Sequence, residues 1–453
     1  MRLAEDLRSC VAGDVFGPGD DGYGPATQTW DLAAVSRPPL VLVAATDQDI
    51  AAGARWADRN ELGIAILNTG HGAFSPNDGV LVINTGRVNT VQVDIAGRWA
   101  TVGAGARWSD VSAAAGPHGL IGAAGGSPGV GVIGYTLGGG LSPLGRTLGF
   151  AADRVTSLTV LDADYRPLRV GADDGETFWA LRGGGPLGIV TGMEFELASI
   201  PSFYGGGIYF DGAHAPDLLS AYADWVADLD DRTSTSIALI HLPPAPQLPP
   251  ELRGRFVVHL RVAHVGPGAD DLAAEGRRAC ARMLAAAPAI IDATRVMTPD
   301  EVPDIHRDPV APQDVAYRGG FVDDLDAATI ATIAGSIPPA PSAGPRMIEL
   351  RHLGGAYSRS PIAPSSSTGR GAPFNLYVTA ASTPEVASDA RTLVDRTVQA
   401  ITPSHQGQLN FYGPSPSPGS ILDLWDDTDA GRLLAVAQEL DPRGRIHTGR
   451  PLR

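Results

Sequence analysis

Up to about residue 200 the apolar positions of this chain come in short, closely spaced runs. Leu40-Val41-Leu42-Val43 reads as a strand, and Thr46-Asp47-Gln48-Asp49 as the cap of a helix running to about Asn60. Ile64–Leu67 is the next strand, and shorter ones follow at Val80–Ile83, Val88–Val93 and Trp99–Val102. A helix at Ser109–Ala115, a strand at Val155–Leu161, a short helix at Thr177–Arg182 and a strand at Gly188–Phe195 complete this part. Beyond residue 200 the texture changes. Strands of alternating polarity (Ser234–Leu242, Arg255–His264, Met347–Leu353, Phe374–Ala380) interleave with longer helices at Pro216–Leu229, Asp270–Ala286, Asp324–Gly335 and Pro384–Ala400. Pro216 and Pro384 suit the first helical position, where no backbone N–H is needed. Pro243–Pro250 and Pro361–Pro373 are rich in Pro, Ser and Gly and read as surface loops. From Leu409 onward come a loop (Tyr412–Gly419), a helix near Ala430–Leu440 and a stop at Asp441-Pro442.

Two stretches break this periodicity. Residues 134–153 run Gly-Tyr-Thr-Leu-Gly-Gly-Gly-Leu-Ser-Pro-Leu-Gly-Arg-Thr-Leu-Gly-Phe-Ala-Ala-Asp. Each glycine costs a helix roughly 1 kcal/mol against alanine. The tract is therefore read as backbone pressed against something large and flat, or wrapped around phosphate. Upstream, the strand ending at Leu67 opens into Asn68-Thr69-Gly70-His71-Gly72, a glycine turn holding one histidine. Two such turns after apolar strands fit a large bound cofactor.

Composition narrows the partners. The chain has 453 residues, 43% of them hydrophobic and 19% charged, enough for two or three globular domains. A net charge of -16 argues against nucleic acid or an anionic membrane as partner, since both attract a basic face. The 2 cysteines, Cys10 and Cys280, have no metal-site or disulfide spacing, so no metal is expected. The N-terminus carries acids where a signal peptide needs an apolar core, and no segment has the length of a membrane span. A cytoplasmic location is expected.

Two familiar patterns fail on physical grounds. Gly129-Val130-Gly131-Val132-Ile133-Gly134 fits a dinucleotide fingerprint, but that motif needs a helix starting inside it, and Gly138-Gly139-Gly140 would break one within a turn. Gly125-Gly126-Ser127-Pro128-Gly129 fits a nucleophile elbow, which draws an oxyanion donor from the residue after the serine. That residue is Pro128, which has no N–H. A serine hydrolase using Ser127 therefore stands second, beside a binding protein that has lost its cofactor. Taken alone, a histidine in a glycine turn is more often a cap or surface residue than a reactive one.

Taken together, the ordered pieces resemble the FAD-linked oxidases of the vanillyl-alcohol oxidase superfamily (PCMH-type FAD-binding), in the berberine-bridge-enzyme-like branch and of a bacterial secondary-metabolite type. The resemblance rests on Arg37-Pro38-Pro39-Leu40-Val41, Asn68–Gly72, the tract from Gly134 to Asp153, and Phe178–Gly185 with Gly188–Thr191. Gly354-Gly355-Ala356, Asn410-Phe411, Arg432-Leu433 and Asp441-Pro442 extend it over nearly the whole chain. It implies an α+β fold: a PCMH-type FAD-binding domain at 1–200, a substrate domain at 201–408 with an antiparallel sheet flanked by helices, and a segment at 409–453 returning to the first domain. It implies FAD attached covalently to His71 through the 8α-methyl carbon. Asn68, Thr69, Gly70, His71 and Gly72 would cradle the pyrophosphate. Ser127, Gly131, Gly134, Thr136, Gly138, Gly139, Gly140 and Gly145 would line the rest of FAD. Ile189 and Val190 would lie at the adenine end, and Asn410 by the isoalloxazine.

Two departures from the family pattern matter. Relatives that attach FAD twice place a cysteine just before the glycine tract. This chain has Gly126-Ser127-Pro128-Gly129 there, so a single attachment is expected. Sugar-oxidising relatives place a tyrosine two residues before the asparagine matching Asn410, and here that residue is Gln408, which favours a natural-product intermediate over carbohydrate. The base must then come from elsewhere. Alternation in Met347–Leu353 puts Glu349 and Arg351 on one face and Ile348, Leu350 and His352 on the other. Glu349 is the first choice of base and Tyr377 the alternative, with Arg351 beside them; an ion pair of Glu349 with Arg351 or another cation on a solvated face competes evenly. His259 and Arg261 share a strand face for which two readings stand, lining of the pocket and a solvated sheet face, the second being favoured. The expected partners are a small-molecule substrate and molecular oxygen.

Overall fold

The computed structural model describes the chain except at residues 1, 33, 35–36, 73–78, 267, 269–270, 339–343, 384–385, 403–405, 414–419 and 448–453. Leu40–Val43 is buried throughout, as an uninterrupted apolar run should be in a parallel sheet. It pairs in parallel with Val80–Asn84, which pairs in parallel with Gly63–Leu67, while Asp14–Phe16 lies antiparallel on its other edge. The Asp47–Arg59 helix starts at its predicted cap. Thr46 Oγ1 accepts from Asp49 N at 3.2 Å and Asp49 accepts from Thr46 N at 3.2 Å, a reciprocal capping box. A second sheet is antiparallel, in the order Val91–Asp94, Trp99–Gly103, Val190–Glu196, Val155–Leu161, Pro167–Gly171.

The third sheet has eight strands. Its path runs Ala289–Asp292, Phe203–Asp211, Phe256–His264, Thr233–His241, Met347–His352, Phe374–Ala381, Val315–Val322, with Arg295–Met297 beside Phe203–Asp211. The Ile348/Leu350 face packs against helices as expected, in one core with Ile237, Leu260, Val378, Leu218 and Val394. The Phe203–Asp211 and Val315–Val322 strands are additions to the sequence reading. Each contains adjacent glycines that hide its alternation. The helix expected from Pro384 spans Ala387–Ile401, and Pro384 lies outside the described residues.

The glycine tract is not free of helix. Val132–Leu137 and Gly145–Leu148 each form a short one, stopping at Gly138 and Gly149. The helix the dinucleotide motif requires thus does begin, and ends within two turns where the glycines were expected to break it. The 361–373 linker is also not a pure surface loop: Ser366 and Ser367 are buried. Arg182 donates to Ala363 O at 2.7 Å and Trp425 Nε1 to Ser366 O at 2.7 Å. Those partners lie far off in sequence, so nothing local announces the burial.

Two features join the sheets. Arg146, at the end of the glycine tract, is buried and donates to Thr233 O (2.9 Å), Leu353 O (2.5 Å) and Leu229 O (3.1 Å). At the other end of the chain, the Asp427–Leu440 helix puts Leu433, Val436 and Leu440 into one core with Trp108, Val132 and Phe178. Just after it, Ile446 bridges in parallel to Ile64, with Ile64 N donating to Arg445 O and His447 N to Ile64 O, both at 2.7 Å. Among the described residues no helix is long and apolar enough to cross a membrane, and no group of His, Cys, Asp or Glu could hold a metal ion.

Candidate functional site

Cross-strand register sets two rungs of side chains on the face of the large sheet opposite the Ile348/Leu350 core. One runs Gly207, Arg261, Ser236, Arg351, Asn375, Phe321, and the next Tyr209, His259, Ala238, Glu349, Tyr377, Gly319. This face is buried. His259, Arg261 and Glu349 are 2%, 3% and 1% exposed, which corrects the expectation of a solvated face for His259 and Arg261. The reason is coverage: the 408–411 turn and the Pro303–His306 helix lie over it. Phe411 takes Arg351 on its ring at 4.8 Å and Tyr377 edge-on at 5.1 Å.

Glu349 is the centre of an ion cluster. Arg261 Nη1 donates to Glu349 Oε1 at 2.6 Å and Arg351 Nη2 to Oε2 at 3.1 Å, with His306 Nε2 3.5 Å from Oε1. Burial opposes the charge, yet Arg351 and Arg261, with His306, hold the carboxyl well below the ordinary carboxylate range. That corrects the expected role of Glu349 as base: a carboxylate clamped by two guanidiniums is a poor proton acceptor. Tyr377 is no better, because burial pushes its phenol well above its ordinary value. Around the cluster, Ser236 Oγ and both amide atoms of Asn375 are buried without a hydrogen-bond partner. Buried polar atoms in native proteins are nearly all bonded, so this set is suited to a polar ligand.

Four buried or half-buried histidines give the fold a pH dependence. Burial first, then Arg146, lowers His352 to about 3; burial first, then Arg107, lowers His71 to about 4. Burial and Arg261 likewise lower His259 and His306. All four are harder to protonate folded than unfolded, where histidine titrates near about 6.5. Stability is therefore complete above that value and falls as pH drops below it, because the unfolded chain binds the extra protons. Thermal melts of the purified protein should show the midpoint falling steadily from pH 7 to pH 5; a flat profile would remove the neutral histidines from the core.

On the other side of the turn lie the residues nominated for FAD. The 68–72 turn faces residues 129–131: a Cβ at Gly131 would come within 2.6 Å of Asn68 Nδ2, and one at Gly129 would lie 4.0 Å from His71 Cε1. His71 Nδ1 meets Thr69 Oγ1 at 2.8 Å. Asn68 Oδ1, His71 Nε2, Ser127 Oγ and Thr136 Oγ1 are all buried with no hydrogen-bond partner. Four unpartnered polar atoms at four nominated positions, drawn from three segments, fit a polar cofactor laid across them. Gly138 is held by a close approach, since a Cβ there would meet Asn410 Oδ1 at 1.8 Å. Asn410 Nδ2 donates to Tyr135 O at 2.8 Å, and Gln408 receives Asn410 N at 2.8 Å while donating to Gly138 O. Residues 408–411 thus bridge the glycine tract and the Arg351 rung.

Other nominations sit differently. Gly139 and Gly140 follow Gly138 at positive φ, and a Cβ at Gly134 would meet nothing. Gly145 is filled by Tyr357, whose hydroxyl would lie 1.6 Å from a Cβ and which donates to Ser142 O at 3.0 Å. Its smallness serves packing between protein segments, which corrects its assignment to the cofactor. Ile189 and Val190 send their side chains into hydrophobic cores, so only their backbone is open to a ligand. Gly70 and Gly72 lie in the turn, and residues 73–78 after it are outside the described ones. Sequence reasoning missed His306, Ser236 and Trp30. The alternation of Ser234 and Ser236 carried a signal for the second; His306 and Trp30 lie in segments with no periodicity.

Residues 38–171 match the family described as FAD binding domain. This part of the chain is an FAD binding domain. It contains the 68–72 turn, residues 127–131 and the whole glycine tract, so all four unpartnered polar atoms belong to it. In sequence the chain is 28% identical over 195 residues to (R)-6-hydroxynicotine oxidase of Paenarthrobacter nicotinovorans, covering 42% of this chain and 43% of that protein. The chain spans about half the length of the curated relatives it matches, several of which are FAD-linked oxidoreductases. The whole fold is similar to that of 6-hydroxy-D-nicotine oxidase from Arthrobacter nicotinovorans (TM-score 0.81, 23% identity, 98% of both chains). It is also similar to Physcomitrella patens BBE-like 1 (TM-score 0.82, 18% identity, 100% of this chain and 99% of that one). The α+β fold, an FAD binding domain with a helix-backed antiparallel sheet, is therefore that of these solved structures.

Proposed function

We propose that this protein is an FAD-dependent oxidoreductase, an oxidase of a small, polar natural-product intermediate, with FAD bonded to His71. The observation that carries the reading is the row of unpartnered buried atoms (Asn68 Oδ1, His71 Nε2, Ser127 Oγ, Thr136 Oγ1) inside the FAD binding domain. When bound, FAD supplies the two-electron acceptor for a hydroxyl-bearing or activated carbon, and molecular oxygen is the proposed final acceptor. The chain's own residues do the rest. Asn68–Gly72 and the glycine tract offer backbone N–H groups and small side chains to phosphate and ring. In the tautomer whose Nδ1–H donates to Thr69 Oγ1, the His71 Nε2 lone pair is open, and the lowered basicity keeps the ring neutral at pH 7. Arg351 and Arg261, fixed by Glu349, present positive charge to the pocket and orient a polar substrate. His306 is the proton acceptor the cluster offers: it is buried and neutral, and Nδ1 has no partner while Nε2 faces Glu349.

The hydrolase alternative has less support, because Ser127 Oγ has no hydrogen-bond partner and Pro128 gives no oxyanion donor. The test is optical. Purified protein should be yellow, and the pellet after acid precipitation should keep the colour with an intact-mass increase of one FAD less two hydrogens. A protein that is colourless and stays so after incubation with FAD sinks the proposal.

A further inference from the structure

The His71 turn is strapped from outside by a segment distant in sequence. Thr29 packs on Gly70, where φ is +71° and a Cβ would come within 2.6 Å of Thr29 Cβ. Trp30 N donates to Thr69 O at 2.9 Å and Asp31 N to Gly70 O at 3.4 Å. The Trp30 indole lies flat on the His71 imidazole, with centroids 4.6 Å apart and planes 13° from parallel. The same segment is tied on its far side to residues that follow the Pro303–His306 helix. Trp30 Nε1 donates to Val310 O at 3.1 Å, Gln313 N to Trp30 O at 3.0 Å and Leu32 N to Gln313 O at 2.9 Å.

We propose that Trp30 is a positioning residue for flavin attachment, holding the plane of the His71 ring so that its unpartnered nitrogen stays aimed into the FAD site. This rests on the attachment proposed above. Three restraints fix the ring: its own backbone turn, Thr69 on Nδ1, and Trp30 on one face. Without the third, only the Thr69 contact opposes rotation of the ring about its side-chain bonds, and attack on a methyl carbon demands one orientation. The indole also keeps water off that face, which favours the neutral imidazole that has a lone pair to give. Attachment replaces one C8α–H bond by C8α–N and removes the imidazole N–H. The two electrons and two protons released pass to dioxygen as hydrogen peroxide, so the step balances with air as the oxidant.

The experiment compares wild type, Trp30→Leu and Trp30→Phe as purified, by total flavin, acid-stable flavin and in-gel fluorescence over time in air with added FAD. Trp30→Leu is expected to bind FAD but attach it at least tenfold more slowly. Trp30→Phe keeps a stacking ring, loses only the bond to Val310, and should attach at close to the wild-type rate. Equal rates in wild type and Trp30→Leu would overturn the proposal, and so would a Trp30→Phe protein that binds FAD yet fails to attach it. If Trp30→Leu does not fold, Trp30→Phe against Trp30→Met decides by the same comparison. A wild type holding only extractable flavin would overturn the attachment reading itself, and this inference with it.

Discussion

Glu349→Gln is expected to lower folding stability by about 3–5 kcal/mol, the usual cost of deleting one partner of a buried ion pair. Glutamine keeps the shape and removes the charge. Arg261, which is 3% exposed, and Arg351, which packs on Phe411, would then sit side by side with their counter-charge gone. The carboxylate is placed 2.6 Å from one guanidinium and 3.1 Å from the other, and the more deeply buried of the two, Arg261, has no ready route to water. Urea unfolding followed by tryptophan fluorescence measures the loss. A variant as stable as wild type would mean that Glu349 is not the anchor of the cluster. The same change should not abolish proton transfer, because His306 and not Glu349 is assigned that step; a folded variant with no flavin reduction at all would reverse the assignment.

His71→Ala should have an equally large effect of a different kind. All acid-stable flavin should be lost, while FAD still binds reversibly through Asn68, Ser127, Thr136 and the glycine tract. Acid precipitation would then leave a white pellet under a yellow supernatant, and the protein band on a denaturing gel would not fluoresce. A band that still fluoresces would place the bond on another residue. Retention of reversible FAD separates this outcome from misfolding, since the surrounding cradle does not depend on the imidazole.

Much of this was readable from residue order, and the gaps have physical causes. The Thr46–Asp49 cap, the strands at Leu40 and Met347 and the apolar face of Ile348 and Leu350 are local patterns, and local patterns survive folding. The 68–72 turn and the glycine tract were legible because glycine is costly unless the backbone needs it. What was not legible depends on distant partners. Glu349 and Arg351 were correctly put on one face, but Arg261, the second clamp that turns a candidate base into a fixed anion, comes from a strand 88 residues earlier. Gly145 looked like part of the cofactor cradle and is filled by Tyr357, from beyond residue 350. Trp30 stacks on His71 from a stretch with neither period nor motif.

The pairing of Ile64 with Arg445, Ile446 and His447 has a bearing on how the molecule is made. Chains leave the ribosome N-terminus first and tend to fold in that order. Here the Ile64 edge of its sheet receives the 445–447 segment only after the large sheet has been made, and the Asp427–Leu440 helix that seals the neighbouring core arrives just before it. The FAD binding domain therefore has partners on both sides of the large sheet in chain order, and the sheet is translated between them. A cradle suited to FAD is thereby completed only after the large sheet beside it has been made.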